Sequence, residues 1–212
     1  RIATGWNVSR DDTKKGLWNF LKKIPKNNEP HGKKFHYCSP HTDMLGWIIE
    51  RASGKKFSDL FSALILNPCG TEYDSYITLD YFGAPRTAGG INICINDLLK
   101  IAEMFRCKGS IENKQIVSEE WINDITSFEN KSSWLNQKDA RLFSNGNYRS
   151  FWYQTGLNEN EICALGIHGQ WIWINPTREV VIIKYSSGEL PLNTQIDHQL
   201  LEVFKEISKT VS

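Results

Sequence analysis

Apolar residues recur with a helical period through the first 149 residues and alternate in the manner of strands after that. Leu17, Trp18, Leu21 and Ile24 fall on one face of a helix predicted over residues 12–24. Residues 1–8 before it read as a loop whose one large apolar group is Trp6, and residues 25–34 as a polar connector containing Pro and Gly. Met44, Leu45, Ile48, Ile49 and Ala52 then repeat at helical spacing. Ser39 is the expected N-cap of that helix, Pro40 suits its first position, and Gly54 ends it. A second stripe, Phe57, Leu60, Phe61, Leu64 and Ile65, is closed by Pro68 and Gly70. Residues 73–79 read as a short extended piece, and Gly89-Gly90 permits close backbone approach. The next helix runs from an Asn96 cap to about Cys107, with Leu98, Ile101, Ala102 and Phe105 facing inward. Ser118 caps a short helix carrying Trp121, Ile122 and Ile125, and residues 131–147 make a polar excursion.

Strands are predicted over residues 150–155, 162–168, 171–175 and 180–186, with a turn at Asn175-Pro176-Thr177-Arg178. The apolar run from Val180 to Ile183 implies a strand covered on both faces. Ile196, Leu200, Val203, Phe204 and Ile207 mark a closing helix. Helices first, then a meander with a helix across it, predict an α+β fold. No internal repeat is present.

Composition narrows the function classes. The 212 residues suffice for one domain with a sizeable core, or for a large part of a bigger one. A net charge of +1, without a basic stripe interleaved with aromatics, argues against a nucleic-acid partner. The lysines between Lys14 and Lys34 are separated by Asn, Pro and Gly and read as solvated surface. No apolar run is long enough to cross a bilayer. No secretory signal is present, although the chain begins with Arg1 rather than Met. Five widely spaced cysteines favour reduced, packed thiols, and hence a cytoplasmic setting, over a disulfide framework. Cys38-x-x-His41 lacks a second ligand pair, so no metal site is expected.

Candidate chemistry centres on Tyr37, two residues before the Ser39 cap, where the helix dipole favours a phenolate. A phenol there can shuttle protons in acyl transfer; a buried structural tyrosine is the alternative. Dipole stabilisation of about 0.3–1 kcal/mol corresponds to less than about one pKa unit. A phenol of ordinary pKa therefore needs a neighbouring ammonium to act as a base.

Tyr37-Cys38-Ser39 resembles the Tyr-x-Asn/Ser element of the serine β-lactamase and penicillin-binding-protein superfamily. The likeness is greatest to the branch of 6-aminohexanoate-dimer (nylon-oligomer) hydrolases and related carboxylesterases. It continues through SPHTDMLGWIIERASGK, then Pro85–Gly109, and ends in GIHGQWIWINP from Gly166 to Pro176. The resemblance implies a β-lactamase-like fold, an antiparallel sheet flanked by helices with a mostly helical region. Residues 1–212 would be the C-terminal part of one such domain, helical over 1–149 and strand-rich with a closing helix over 150–212.

The activity implied is hydrolysis of small amides or esters through an acyl-enzyme, without metal or organic cofactor. Such chemistry needs a nucleophilic Ser, a Lys three residues later on the same helix face, a Tyr proton relay and oxyanion donors. The one Ser-x-x-Lys here, Ser53-Gly54-Lys55-Lys56, follows a helix instead of opening one, at a place that is a surface turn in the family. In the family the true motif lies farther upstream of the tyrosine than the 36 residues preceding Tyr37 allow. The nucleophile is therefore expected in a missing N-terminal part of the same protein, and this chain alone is expected to be inactive.

Carried over position by position, Tyr37 is the general acid/base and Ser39 a hydrogen-bonder of the substrate or of the nucleophile's surroundings. Ile167 supplies an oxyanion N–H, Gly166 allows close substrate approach, His168 is a supporting hydrogen-bonder, and Trp6 covers the substrate chain. Ala164-Leu165-Gly166 stands where other branches carry Lys-Thr-Gly on an edge strand, which lowers the expectation of β-lactam recognition. The tyrosine hydroxyl and the Ile167 N–H should then converge on one cleft. Two readings compete: a sensor-like module of the same fold that binds without turnover, and a structural or interaction domain.

Overall fold

Alternate side chains along five adjacent strands point to opposite faces, and this period of two organises the larger of two packing units. That unit comprises residues 31–35, 69–71 and 95–212; residues 1–30, 36–68 and 72–94 form the other. The computed structural model describes residues 16–26, 28–127, 133–134, 142–157 and 160–211.

In the larger unit β5 (Asn147–Arg149), β6 (Trp152–Gln154), β7 (Ile162–Gly166), β8 (Gln170–Asn175) and β9 (Val180–Lys184) form one antiparallel sheet in chain order. On one face Cys163, Trp171, Trp173 and Val180 meet Leu201 and Phe204 of α6 (Thr194–Val211). On the other, Ile162, Ile172, Ile174, Val181 and Ile183 meet Ala102 of α4 (Ile95–Arg106) and Ile122 and Ile125 of α5 (Glu119–Thr126). The run from Val180 to Ile183 is thus covered on both sides, as its unbroken apolarity predicts.

The strand bounds differ from the sequence expectation for identifiable reasons. Residues 150–155 are not one strand: Ser150 (φ 49°) and Phe151 (φ 71°) turn the chain between β5 and β6, with Arg149 opposite Trp152. That left-handed turn contains neither Gly nor Asn, so nothing in the sequence marks it. A second short hairpin, β3 (Ser110–Ile111) with β4 (Lys114–Gln115), turns at Glu112 (φ 47°) and Asn113 (φ 62°). The strand expected to reach His168 stops at Gly166, because the chain enters a left-handed turn there. Helix α4 begins at Ile95, one residue before the expected Asn96 cap. Ser118 caps α5 as expected, its hydroxyl accepting from the Trp121 N–H at 3.3 Å.

In the smaller unit α1 (Gly16–Leu21) and α2 (Ser39–Ser53) stack Trp18 on Trp47, ring centroids 5.3 Å apart. Helix α3 (Phe57–Phe61) runs on into a π-helical turn, Ser62–Leu66, closed by the Asn67 N–H on the Ser62 carbonyl at 2.9 Å. A two-stranded ladder joins β1 (Tyr76–Ile77) to β2 (Ile91–Asn92). The core is small, Leu17, Leu21 and Ala84, with Trp18, Phe20 and Met44 against it.

Helix α1 ends at Leu21, not Ile24, because Pro25 bars continuation and the Ile24 N–H closes a tight turn on the Leu21 carbonyl. The first four residues of that expected helix, like Trp6 and residues 1–8, lie outside the described residues. The buried residues of α2 are Asp43 and Gly46, while Leu45, Ile48 and Ile49 of its apolar stripe are exposed in this chain.

Candidate active-site elements

The entry to α2 carries the tyrosine element. Cys38 is extended (φ −141°, ψ 96°) and its carbonyl accepts from the His41 N–H at 2.9 Å, so Cys38 occupies the cap position. Ser39 is therefore the first helical residue and not the N-cap expected from sequence. The chain turns one residue earlier, and the cap has no side-chain hydrogen bond. Tyr37 lies just outside the helix, 48 % exposed.

A polar clasp holds the first two turns of α2, and the sequence reading missed it. The Asp43 carboxylate is fully buried, pairs with the Arg86 guanidinium and accepts from the Ala88 N–H at 2.9 Å. Thr87 donates its hydroxyl to the Thr42 carbonyl at 2.8 Å. A Cβ at Gly46 would sit 2.5 Å from the Thr87 side chain, so only glycine lets helix and loop meet this closely. The one available signal was an acid set among Met44, Leu45 and Gly46.

Burial is the main influence on Asp43 and raises its pKa above the ordinary carboxylate value, against the Ala88 N–H and Arg86. The folded state then holds this proton more tightly than the unfolded chain. The carboxyl's contribution to stability is complete below the ordinary value and is lost as pH rises through the raised one. Asp43→Asn should flatten that decline in urea-unfolding titrations from pH 3 to 6; an unchanged slope would mean that Asp43 does not dominate it.

Ser53 is not placed as a nucleophile. Its hydroxyl donates to the Ile49 carbonyl at 2.7 Å and accepts from the Lys55 N–H at 3.2 Å, at the exposed end of α2. These bonds finish a helix whose cap, Gly54, is left-handed at φ 68°.

Gly166, Ile167 and His168 lie in the larger unit, and Tyr37 and Ser39 in the smaller one. Strand β6 pairs only with Ile162 and Cys163 of β7. No described strand therefore covers the outer edge of Ala164, Leu165 and Gly166, which pair with β8 alone. Ile167 opens the turn to β8, is exposed, and its N–H donates to no described residue.

His168 belongs to this turn and not to a strand, at φ 65° beside Gly169 at φ 79°. Its Nδ1 lies 2.7 Å from the Gly188 carbonyl, which can only accept, so Nδ1 carries the proton. The His168 N–H donates to the Pro191 carbonyl at 2.9 Å and its carbonyl accepts from the Gly188 N–H at 3.0 Å. His168 thus ties the turn to residues 188–191. Among the described residues no three His, Cys, Asp or Glu side chains are grouped to hold a metal, and no helix is long and apolar enough to cross a membrane.

Known proteins share this fold. The chain is 28 % identical over 189 residues to the 6-aminohexanoate-dimer hydrolase of Paenarthrobacter ureafaciens, covering 89 % of the chain and 48 % of that relative. A solved structure provisionally named 6-aminohexanoate-dimer hydrolase, from Bacillus anthracis, superposes with a TM-score of 0.79 at 22 % identity. That match covers 92 % of this chain and 49 % of the other. Unliganded simvastatin synthase from Aspergillus terreus gives 0.65 at 12 % identity, over 87 % and 56 % of the two chains. The chain thus spans about half the length of the hydrolases it matches. These structures share a β-lactamase-like fold of helices and antiparallel sheets, and the Beta-lactamase family profile matches residues 4–203, so the chain belongs to the beta-lactamase family.

Proposed function

We propose that the protein to which this chain belongs is a serine hydrolase that cleaves small amides or esters through an acyl-enzyme. The observation that carries the reading is Tyr37, half-exposed at the clasped entry of α2 within a family match spanning residues 4–203. A relative named for hydrolysis of an amino-acid dimer supports amide or ester chemistry.

In this reading a serine upstream of Arg1 attacks the acyl carbonyl while a lysine one helical turn on takes its proton. Tyr37 passes a proton to the leaving amine or alcohol and then draws one from the attacking water. Ser39 hydrogen-bonds the substrate. The Ile167 N–H steadies the oxyanion, with Gly166 leaving room beside it. The uncovered outer edge at Ala164–Gly166 supports that assignment, since a substrate there meets unpaired backbone. His168 holds the turn that presents Ile167.

A serine-directed fluorophosphonate followed by peptide mass spectrometry tests the assignment. The full-length protein should be labelled stoichiometrically at a serine outside residues 1–212, and residues 1–212 expressed alone should not. Labelling of Ser53, or of any serine within 1–212, would relocate the nucleophile. No labelling of the full-length protein would leave a binding module without turnover.

A further inference from the structure

We infer a second binding site in the smaller unit, at the end of α2 opposite Tyr37, for an anionic head group on a short apolar chain. It is an open cleft of about 890 Å³, in the size range of small-molecule sites. One wall is the α2–α3 corner, Arg51, Lys55, Lys56 and Ser58; the other includes Leu79 and Phe82. Helix α2 has 15 residues, so at 1.5 Å per residue the cleft lies roughly 20 Å along it from Tyr37. The cleft is separate from the tyrosine element.

Charge and apolarity are segregated between the two walls. Glu50, the one carboxylate lining the cleft, is engaged by the Phe57 N–H at 2.9 Å. Among the described residues neither Lys55 nor Lys56 has a side-chain partner, and Arg51 lies over the Trp47 ring at 5.6 Å. Three cations thus line the cleft against the single carboxylate of Glu50. Opposite them, Leu79 and Phe82 leave 55 % and 56 % of their surface uncovered.

Both walls are built before any ligand arrives. The buried Asp80 carboxylate accepts from the N–H groups of Leu17, Phe82 and Ala84 at 2.7, 2.8 and 2.9 Å, fixing the turn that carries Phe82. Phe82 also lies against Gly16, where a Cβ would come within 2.6 Å of its ring. The corner is set by the left-handed Gly54 and by the Glu50–Phe57 bond. A ligand with a carboxylate or phosphate at one end and an aliphatic chain at the other matches the cations and the apolar wall together. A free acid and a phosphate ester share that chemistry.

Calorimetric titration of the purified protein with sodium octanoate, octyl phosphate, 1-octanol and acetate tests this. Saturable binding of octanoate or octyl phosphate is expected, at least tenfold tighter than of 1-octanol or acetate. The tighter of the two anions identifies the head group. The double variant Lys55→Glu/Lys56→Glu should weaken binding at least tenfold with an unchanged circular dichroism spectrum, because both side chains are exposed. Leu79→Ser should weaken octanoate severalfold and leave acetate unaffected. Absence of saturable anion binding, equal affinity for 1-octanol, or an undiminished affinity in the double variant would overturn the site. Because octanoate could also occupy a hydrolase active site, octanoate at its saturating concentration should leave the full-length protein's KM for a small ester unchanged; competitive inhibition would place octanoate in that active site and overturn the second site.

Discussion

Replacing Tyr37 with phenylalanine in the full-length protein should lower kcat by about 10²–10⁴-fold, the range for losing a positioned general acid/base, and leave KM within a few-fold. The ring and its apolar contacts survive the substitution; only the proton-carrying oxygen is lost. A group that acts in the transition state more than in substrate binding lowers kcat and kcat/KM together. The acidic and basic limbs of the rate profile should also change, since the remaining ammonium would titrate without its phenol. Steady-state kinetics on a small ester and a small amide would check this. The amide should lose more, because its leaving group must be protonated to depart. An unchanged kcat would remove Tyr37 from the mechanism, and a rise in KM alone would make it a binding residue.

Trp173→Ala should destabilise the larger unit by about 3–5 kcal/mol, the usual cost of truncating a buried aromatic residue. Trp173 is fully buried in the middle of β8, packs against Phe204 with ring centroids 6.1 Å apart, and belongs to the core between sheet and α6. Its indole N–H also donates to the Glu161 carboxylate at 3.2 Å. Glu161 is buried too, and accepts from Thr155 at 2.6 Å and Asn175 at 2.8 Å. The truncation therefore opens a cavity and removes one donor from a buried charge. Trp121, half-exposed on α5, is the control: its alanine variant should change stability by no more than about 0.5 kcal/mol. Urea unfolding followed by circular dichroism would measure both. Equal effects at the two tryptophans would contradict a core between β8 and α6.

The periodic signals were strong where one element alone sets the pattern. Ile162, Ile172 and Ile174 sort to one face and Trp171 and Trp173 to the other simply because strand side chains alternate. Ser118 was legible as a cap because its hydroxyl bonds within its own turn. The Tyr-x-Ser element was legible because it is three consecutive residues, and the family match over residues 4–203 bears out the resemblance it suggested, not the roles of its residues.

Other features depend on partners distant in sequence. The Asp43 carboxylate bonds residues more than 40 positions away, so a local window shows only an acid on an apolar helix. That contact turns Asp43 and Gly46 inward, while Leu45, Ile48 and Ile49 are exposed in a chain that spans about half the length of the hydrolases it matches. Likewise His168 is a turn residue because Gly188 and Pro191 return to meet it. The left-handed Ser150-Phe151 turn persists because β5 and β6 pair on either side of it.

Element types, the alternating core faces and the tyrosine motif thus follow from short-range chemistry, where spacing and local hydrogen bonding are sufficient causes. Which face of α2 is buried, where β7 stops and what Ser53 bonds to follow from contacts between segments far apart in the chain. A buried carboxylate or a close helix–loop approach is worth several local preferences, so such contacts prevail when the two disagree.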